Sequence, residues 1–340
     1  MNIENILSQL VDENGISGNE YPVSKKAAEI LKEYLDVQID EFGNVYGTSK
    51  DYSKNKKTLL LDAHIDEIGM IVTYITDDGF LKVSSCGGID TRLLLAQEVD
   101  VLCKQRIKGV ITSTPPHLEK DSSKAPEIDE IYVDIGMSKE NAEKVVSLGD
   151  RIFINNSLAY LKNDFVTAKS LDDRSGIAAI IYCLDLLKDK QTQYNIKVLF
   201  SVQEEVGERG AKIGAYNIDA DMAVAVDVSF ARTNGESADK CGEISKGPMI
   251  GIAPSLSREM SDLFIETAKK NHIPYQIEVM NGKTGTNADT IGITKSGVKT
   301  CTISIPLKYM HTPVESVSIS DVKNIGKLLA KFCELEDVEC

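Results

Sequence analysis

From Lys169 to the C-terminus the chain alternates continuous apolar runs with amphipathic stretches, and no other property of the sequence restricts its fold as strongly. SLDDRSGIAAIIYCLDLLKD, RGAKIGAYNI, PSLSREMSDLFIETAKKN and SISDVKNIGKLLAKFCELE carry apolar residues at helical spacing, the last with Ser320 or Ser318 as its cap. Between them NIKVLFSVQ, MAVAVDV, YQIEVM and VKTCTISIP read as strands. A strand that is apolar along its length has no polar face to give to water, so its sheet is covered by helices on both faces. The fold class is therefore predicted to be α/β. In open α/β sheets ligands collect outside the carboxyl ends of the strands, so the residues that follow each apolar run are the candidates for chemistry.

The first half of the chain has a different rhythm. Residues 3–35 predict two amphipathic helices broken at NGISGNE, followed by the strands VQIDE, NVYGT and TLLLDAH. From about Gly69 to about Tyr160 come short β runs punctuated by turns: GMIVTYI, FLKVSS, EVDVLC, IKGVITS, IYVDIGM and DRIFIN. A chain of 340 residues exceeds the size at which single cores tend to split. The expectation is a small β-rich domain at 69–160, inserted into a discontinuous α/β domain made of residues 1–68 and 161–340. Within the insertion, PPHLEKDSSKAPEIDE (115–130) predicts an exposed loop.

Composition excludes several classes. Apolar and charged shares of 42% and 26% are those of an ordinary globular protein rather than a disordered or fibrous one. Runs such as IAAIIYCLDLL are too short to span a bilayer, and a net charge of −14 repels nucleic acid and anionic lipid. Neither is an expected partner. MNIENILSQLVDE lacks the basic start and apolar stretch of a secretory signal, which predicts a cytoplasmic protein. Seven scattered cysteines without a CxxC pair argue against a disulfide framework and a thiolate zinc site.

Chemistry concentrates at run ends. His64 closes TLLLDAH, with Asp66 two residues on, where a carboxylate sharing its face can fix the imidazole tautomer. Asp172 and Asp173 open the SLDDRSG helix, where capping is the preferred role for Asp173. Glu204 and Glu205 follow NIKVLFSVQ, Asp227 ends MAVAVDV, and His311 lies just beyond ISIP. His117 and His272 stand in polar surroundings and read as surface residues. Two imidazoles with three carboxylates suit zinc, cobalt or manganese better than magnesium or calcium. Two divalent ions bring four positive charges against the three negative charges of Asp172, Glu205 and Asp227. A bridging hydroxide balances the site and is the nucleophile of a two-metal hydrolase. Glu204 is then free to act as general base, provided the chain leaves extended geometry so that both glutamates face one way; Gly207 and Gly210 permit that.

The ordered set AHIDEIG, SLDDRSG, QEEVGERGA, AVDV and YMHTPVES resembles the M42 family of metal-dependent aminopeptidases, which includes glutamyl, leucyl and lysyl enzymes and endoglucanase-like relatives. The resemblance covers nearly the whole chain. It implies His64 and Asp227 on one metal, Glu205 and His311 on the other, Asp172 bridging both, Asp66 orienting His64 and Glu204 as base. It also implies a zinc-peptidase-type α/β domain interrupted by a β-barrel-like domain of PDZ type, peptide substrates, and a homo-oligomer, in many members a dodecamer built from dimers. Lys308 stands where the family pattern often has Arg, and GTNAD (Gly285 to Asp289) where it often has GTDA. A two-metal deacylase or carboxypeptidase needs the same ligand geometry and remains the alternative enzyme. A non-catalytic binding protein on the same fold is the alternative of another class, though no ligand or base is missing here.

Overall fold

The computed structural model describes residues 1–113, 125–235 and 237–334. Most of the loop expected at 115–130, with His117, lies outside the described residues. The larger part of the molecule is built on an eight-stranded mixed sheet. In spatial order its strands are Asp36–Ile39, Val45–Thr48, Asn195–Ser201, Thr58–His64, Met222–Phe230, Lys299–Leu307, Met249–Ile252 and Gln276–Val279. Asn195–Ser201, Thr58–His64, Met222–Phe230 and Lys299–Leu307 run parallel, so their carboxyl ends lie side by side.

The continuous apolar runs become these parallel strands because both of their faces are buried. Every residue of Thr58–His64 is buried. Leu59, Leu61 and Ala63 enter a large core with Leu7 and Leu10 of helix Ile3–Val11, Ile177 and Ile181 of Leu171–Leu187, and Ile325 and Leu329 of Ile319–Cys333. Leu60 points the opposite way, into a smaller core with Ala211 and Ala215 of helix Arg209–Asn217.

All six β runs between residues 69 and 154 form strands, and they close into a barrel in the order Gly69–Ile75, Leu81–Cys86, Tyr132–Asp134, Arg106–Thr112, Glu98–Leu102, Arg151–Ile154. Closure leaves no open edge in this small sheet, and its alternating inward residues, among them Met70, Val72, Val99, Val101 and Ile152, make a separate core. Strand Thr58–His64 leads through four residues straight into the barrel's first strand, so one end of the barrel stands over the carboxyl edge of the large sheet.

Several elements go unpredicted by the sequence. Helix Lys139–Val145 (KENAEKV) buries only Ala142 and so shows no apolar stripe. Glu315–Ser318 pairs with Phe165–Ala168, which pairs with Ala159–Tyr160, in a three-stranded sheet; the polar ESVS is buried throughout, contrary to its hydropathy. The closing helix has Ser318 at its N-cap, but its hydroxyl meets Ser320 Oγ at 2.6 Å and caps no backbone amide.

Candidate active site

Five chain segments meet at the carboxyl edge of the sheet. His64 is the last residue of Thr58–His64 and pairs in register with Ser201, the last residue of the neighbouring strand. Beyond Ser201 the chain turns: Gln203 has φ 58°, Gly207 φ 111° and Glu208 φ 54°, and the Glu204 carbonyl accepts from the amides of Gly207 and Glu208, each at 2.9 Å. This turn, not a strand, carries Glu204 and Glu205, so both carboxylates reach the same cleft. Gly207 supplies the positive φ, and at Gly210 a Cβ would lie 2.2 Å from the Val202 carbonyl oxygen. Asp227 sits near the end of Met222–Phe230, Asp172 at the start of Leu171–Leu187, and His311 beyond Lys299–Leu307 with φ 61°.

The Asp172 carboxylate lies between the two histidines. One oxygen is 2.9 Å from His64 Nε2 and the other 3.5 Å from His311 Nε2. His311 Nε2 is also 3.4 Å from Glu205 Oε1, and His64 Nε2 is 3.9 Å from Asp227 Oδ1. Ligand-capable atoms of Asp172, Glu205 and His311 lie within 4.8 Å of one another, as do those of His64, Glu204 and Glu205, and those of His64, Asp173 and Asp227.

Among the described residues no Lys or Arg side chain comes within ion-pair distance of Asp172, Glu204, Glu205 or Asp227. Burial, reinforced by the Asp172 charge, pushes the carboxyls of Glu205 and Asp227 well up, against the opposing effect of His64. Asp172 is buried too, yet its hydrogen bonds to His311 and His64 outweigh burial and hold it far below the usual range. Burial disfavours the His64 cation, but Asp172 and Asp66 more than reverse this and raise it well above the ordinary value. So many carboxylates around two imidazoles, with no fixed cation, form a donor set that fits divalent metal ions.

The surrounding hydrogen bonds modify the expectation for Asp66. The strand ends at His64, and His64 Nδ1 lies 3.1 Å from the backbone carbonyl of Asp66, with the carboxylate farther away at 3.5 Å. That carboxylate also accepts from the amides of Glu204 at 2.9 Å and Glu205 at 3.2 Å, and from Ser17 Oγ at 2.6 Å. Asp173 accepts from the Gly176 amide at 3.0 Å, the capping role expected of it, and also from the His64 amide at 3.2 Å. His272 lies at the exposed end of helix Arg258–Lys270, as its polar context predicts.

Three contributors were not singled out by the sequence. Glu315, buried, accepts from the amides of Asp172 at 3.0 Å and His311 at 2.9 Å, tying together two segments far apart in the chain. Its only signal is its place in HTPVE. Glu67 is held by Lys169 Nζ at 2.7 Å and Arg174 at 3.1 Å, and anchors the Gly15 amide. From the barrel side, Gly87 and Gly88 close over the site: a Cβ on Gly88 would lie 2.7 Å from His311 Nδ1, and one on Gly87 3.1 Å from Glu205 Cβ.

The sequence pattern of the M42 glutamyl aminopeptidase family matches residues 43–328. Lysyl aminopeptidase of Pyrococcus furiosus is 33% identical over 340 residues, covering 97% of this chain and 96% of that one. An aminopeptidase from the archaeon Desulfurococcus kamchatkensis has a similar structure, with a TM-score of 0.92 at 36% identity over 98% of this chain and 94% of the other. The TET1 peptidase of Pyrococcus horikoshii, which can assemble into a tetrahedron or a large octahedral shell, gives 0.86 at 31% identity over 98% and 100%. Fold, site and likeness together define a mixed α/β aminopeptidase, a hydrolase acting on peptide bonds. The chain belongs to the M42 family, whose aminopeptidases are metal-dependent.

Proposed function

We propose that this chain removes the N-terminal residue from peptides with two divalent ions, one held by His64 and Asp227, the other by Glu205 and His311, with Asp172 bridging. The observation that carries this reading is the Asp172 carboxylate, which offers one oxygen to each histidine side. Such ions, held by these residues, would supply Lewis acidity toward the scissile carbonyl and would lower the pKa of a water so that it serves as the hydroxide nucleophile.

The chain's own groups do the rest. Glu204 lines the same cleft as Asp172, Glu205 and His311 but stands outside the proposed ligand set, which leaves its carboxylate available to take a proton and return it. Glu204 thus acts as general base and then protonates the leaving amine. Asp66 fixes the Glu204–Glu205 turn through two amides, and Glu315 fixes the Asp172 and His311 backbone. The cleft above, about 450 Å³, is lined by His64, Gly88, Asp227, Phe230, Thr286 and Met310 among others, room for one end of a peptide.

Zinc or cobalt is the proposed metal, with manganese also compatible with these ligands. The closed barrel is taken as a PDZ-type domain inserted at 69–160 between the two parts, 1–68 and 161–340, of a zinc-peptidase-type catalytic domain. The likeness to a peptidase that can assemble into a tetrahedron or a large octahedral shell supports a homo-oligomer, and a dodecamer built from dimers, in the cytoplasm, is the proposed form.

The test is hydrolysis of aminoacyl-p-nitroanilides and matched N-acetylated substrates by metal-stripped protein, with zinc, cobalt or manganese restored and Glu204→Gln in parallel. Metal-dependent cleavage of the free-amine substrates alone is expected, with kcat reduced about 10²- to 10⁴-fold in the variant. Cleavage of the blocked substrates would replace this reading with a deacylase or endopeptidase.

A further inference from the structure

Beside Asp227, the carboxyl ends of the sheet present a second acidic group. Met222–Phe230 and Lys299–Leu307 pair in parallel with Asp227 opposite Ser304 and Ser229 two residues on. Residues two apart on a strand share a face, as do residues opposite each other on neighbouring strands. Asp227, Ser229 and Ser304 therefore point the same way. On the next strands Ser304 lies opposite Met249, and Gly251, two residues on from Met249, lies opposite Glu278 of Gln276–Val279. Glu278 therefore belongs to that same face.

Its carboxylate is held in place: one oxygen accepts from Ser229 Oγ, the other from Ser304 Oγ at 2.9 Å. Nothing larger than glycine stands between, since a Cβ on Gly251 would lie 2.0 Å from Thr302 Oγ1. Among the described residues no Lys, Arg or His lies within ion-pair distance of Glu278, although burial pushes its carboxyl up. It lines a cleft of about 820 Å³ with Phe230, Met280 and Thr284; Lys240 and Lys246 also border that cleft, beyond ion-pair distance of Glu278. Ser229, Phe230 and Thr284 also line the cleft over the proposed metal ligands, so the two clefts adjoin.

We propose that Glu278 forms the floor of the subsite for the side chain of the substrate's N-terminal residue and selects a cationic one, lysine or arginine. The proposal rests on the aminopeptidase reading above. The Glu278 carboxylate meets Ser229, two residues along the strand from Asp227, so if the scissile carbonyl lies at Asp172 and Asp227, a long flexible stem runs roughly 6–7 Å along that strand to bring its charge to Glu278. An ammonium or guanidinium there pairs with a desolvated, pre-positioned carboxylate, a strong charge-assisted contact. An apolar side chain leaves the carboxylate unpaired, and an acidic one adds repulsion.

The experiment compares kcat/KM for lysyl-, arginyl-, leucyl- and glutamyl-p-nitroanilide with the metal-loaded full chain, in wild type, Glu278→Gln and Glu278→Lys. In wild type the lysyl and arginyl substrates are expected to exceed leucyl by about tenfold or more, with glutamyl poorest. Glu278→Gln should cut the lysyl-to-leucyl ratio about tenfold, mainly through KM, and Glu278→Lys should move the preference toward glutamyl. A wild-type lysyl-to-leucyl ratio near or below one, or a ratio that neither variant moves, overturns the proposal; should neither variant fold, the wild-type ratios decide. No cleavage of any of the four by metal-loaded wild type would bring down the aminopeptidase reading itself, a different result from cleavage without basic preference.

Discussion

Asp172 shows how a single residue gathers a site. Its side chain stands between His64 and His311, and its amide is fixed by Glu315, which also holds the His311 amide. Glu315 is thus a positioning residue, one hydrogen bond from the backbone of each of two proposed ligands. Glu315→Gln keeps one acceptor oxygen but removes the charge that draws both amides, and is expected to weaken metal affinity about 10- to 100-fold. Chelator competition measures this, with an unchanged far-ultraviolet spectrum as the folding control; unaltered affinity would reduce Glu315 to a packing role. At this scale the sequence was most legible where a charged residue ends an apolar run, because burial and strand direction then leave few places for it to point. The Glu315 bond to Asp172 and the Asp66 bonds to the Glu204–Glu205 turn were illegible because the partners lie 138 or more residues apart.

Among the elements, helix Tyr21–Leu31 begins beside a buried carboxylate. Glu20, at its N-cap position, accepts from the Gly18 amide at 2.7 Å and is 5% exposed. Burial lifts its carboxyl to about 7 from 4.5; the Gly18 bond opposes this and the Asp66 charge adds to it. An acid whose folded pKa is raised holds its proton in the native state after the unfolded chain has lost it, so stability falls as pH rises. This contribution is complete below about 4.5 and lost by about 7, on the order of 3 kcal/mol. Glu20→Gln, which still accepts from Gly18, should flatten that slope in urea unfolding between pH 4.5 and 7. Parallel profiles for wild type and variant would contradict it. The long parallel strands and amphipathic helices were legible from periodicity alone. Met249–Ile252, Glu315–Ser318 and helix Lys139–Val145 were not, because elements of four to seven residues are too short to show a period and owe their form to tertiary pairing rather than to local pattern.

At the scale of the whole molecule, two hydrophobic cores meet at one functional edge. The barrel's core is separate from that of the sheet, while its Gly87–Gly88 corner touches His311 and Glu205. The sequence announced a β-rich interruption, but closure into a barrel and the approach of that corner follow from strand pairings between segments up to about 80 residues apart. The central claim, two ions per subunit bridged by Asp172 within a homo-oligomer, is read most directly by native mass spectrometry of the zinc- or cobalt-loaded protein. The account predicts a multiple of the 37.2 kDa chain carrying two ions per subunit, and loss of both ions in Asp172→Ala with the assembly retained. One ion per subunit in wild type, or two ions retained by Asp172→Ala, would contradict it.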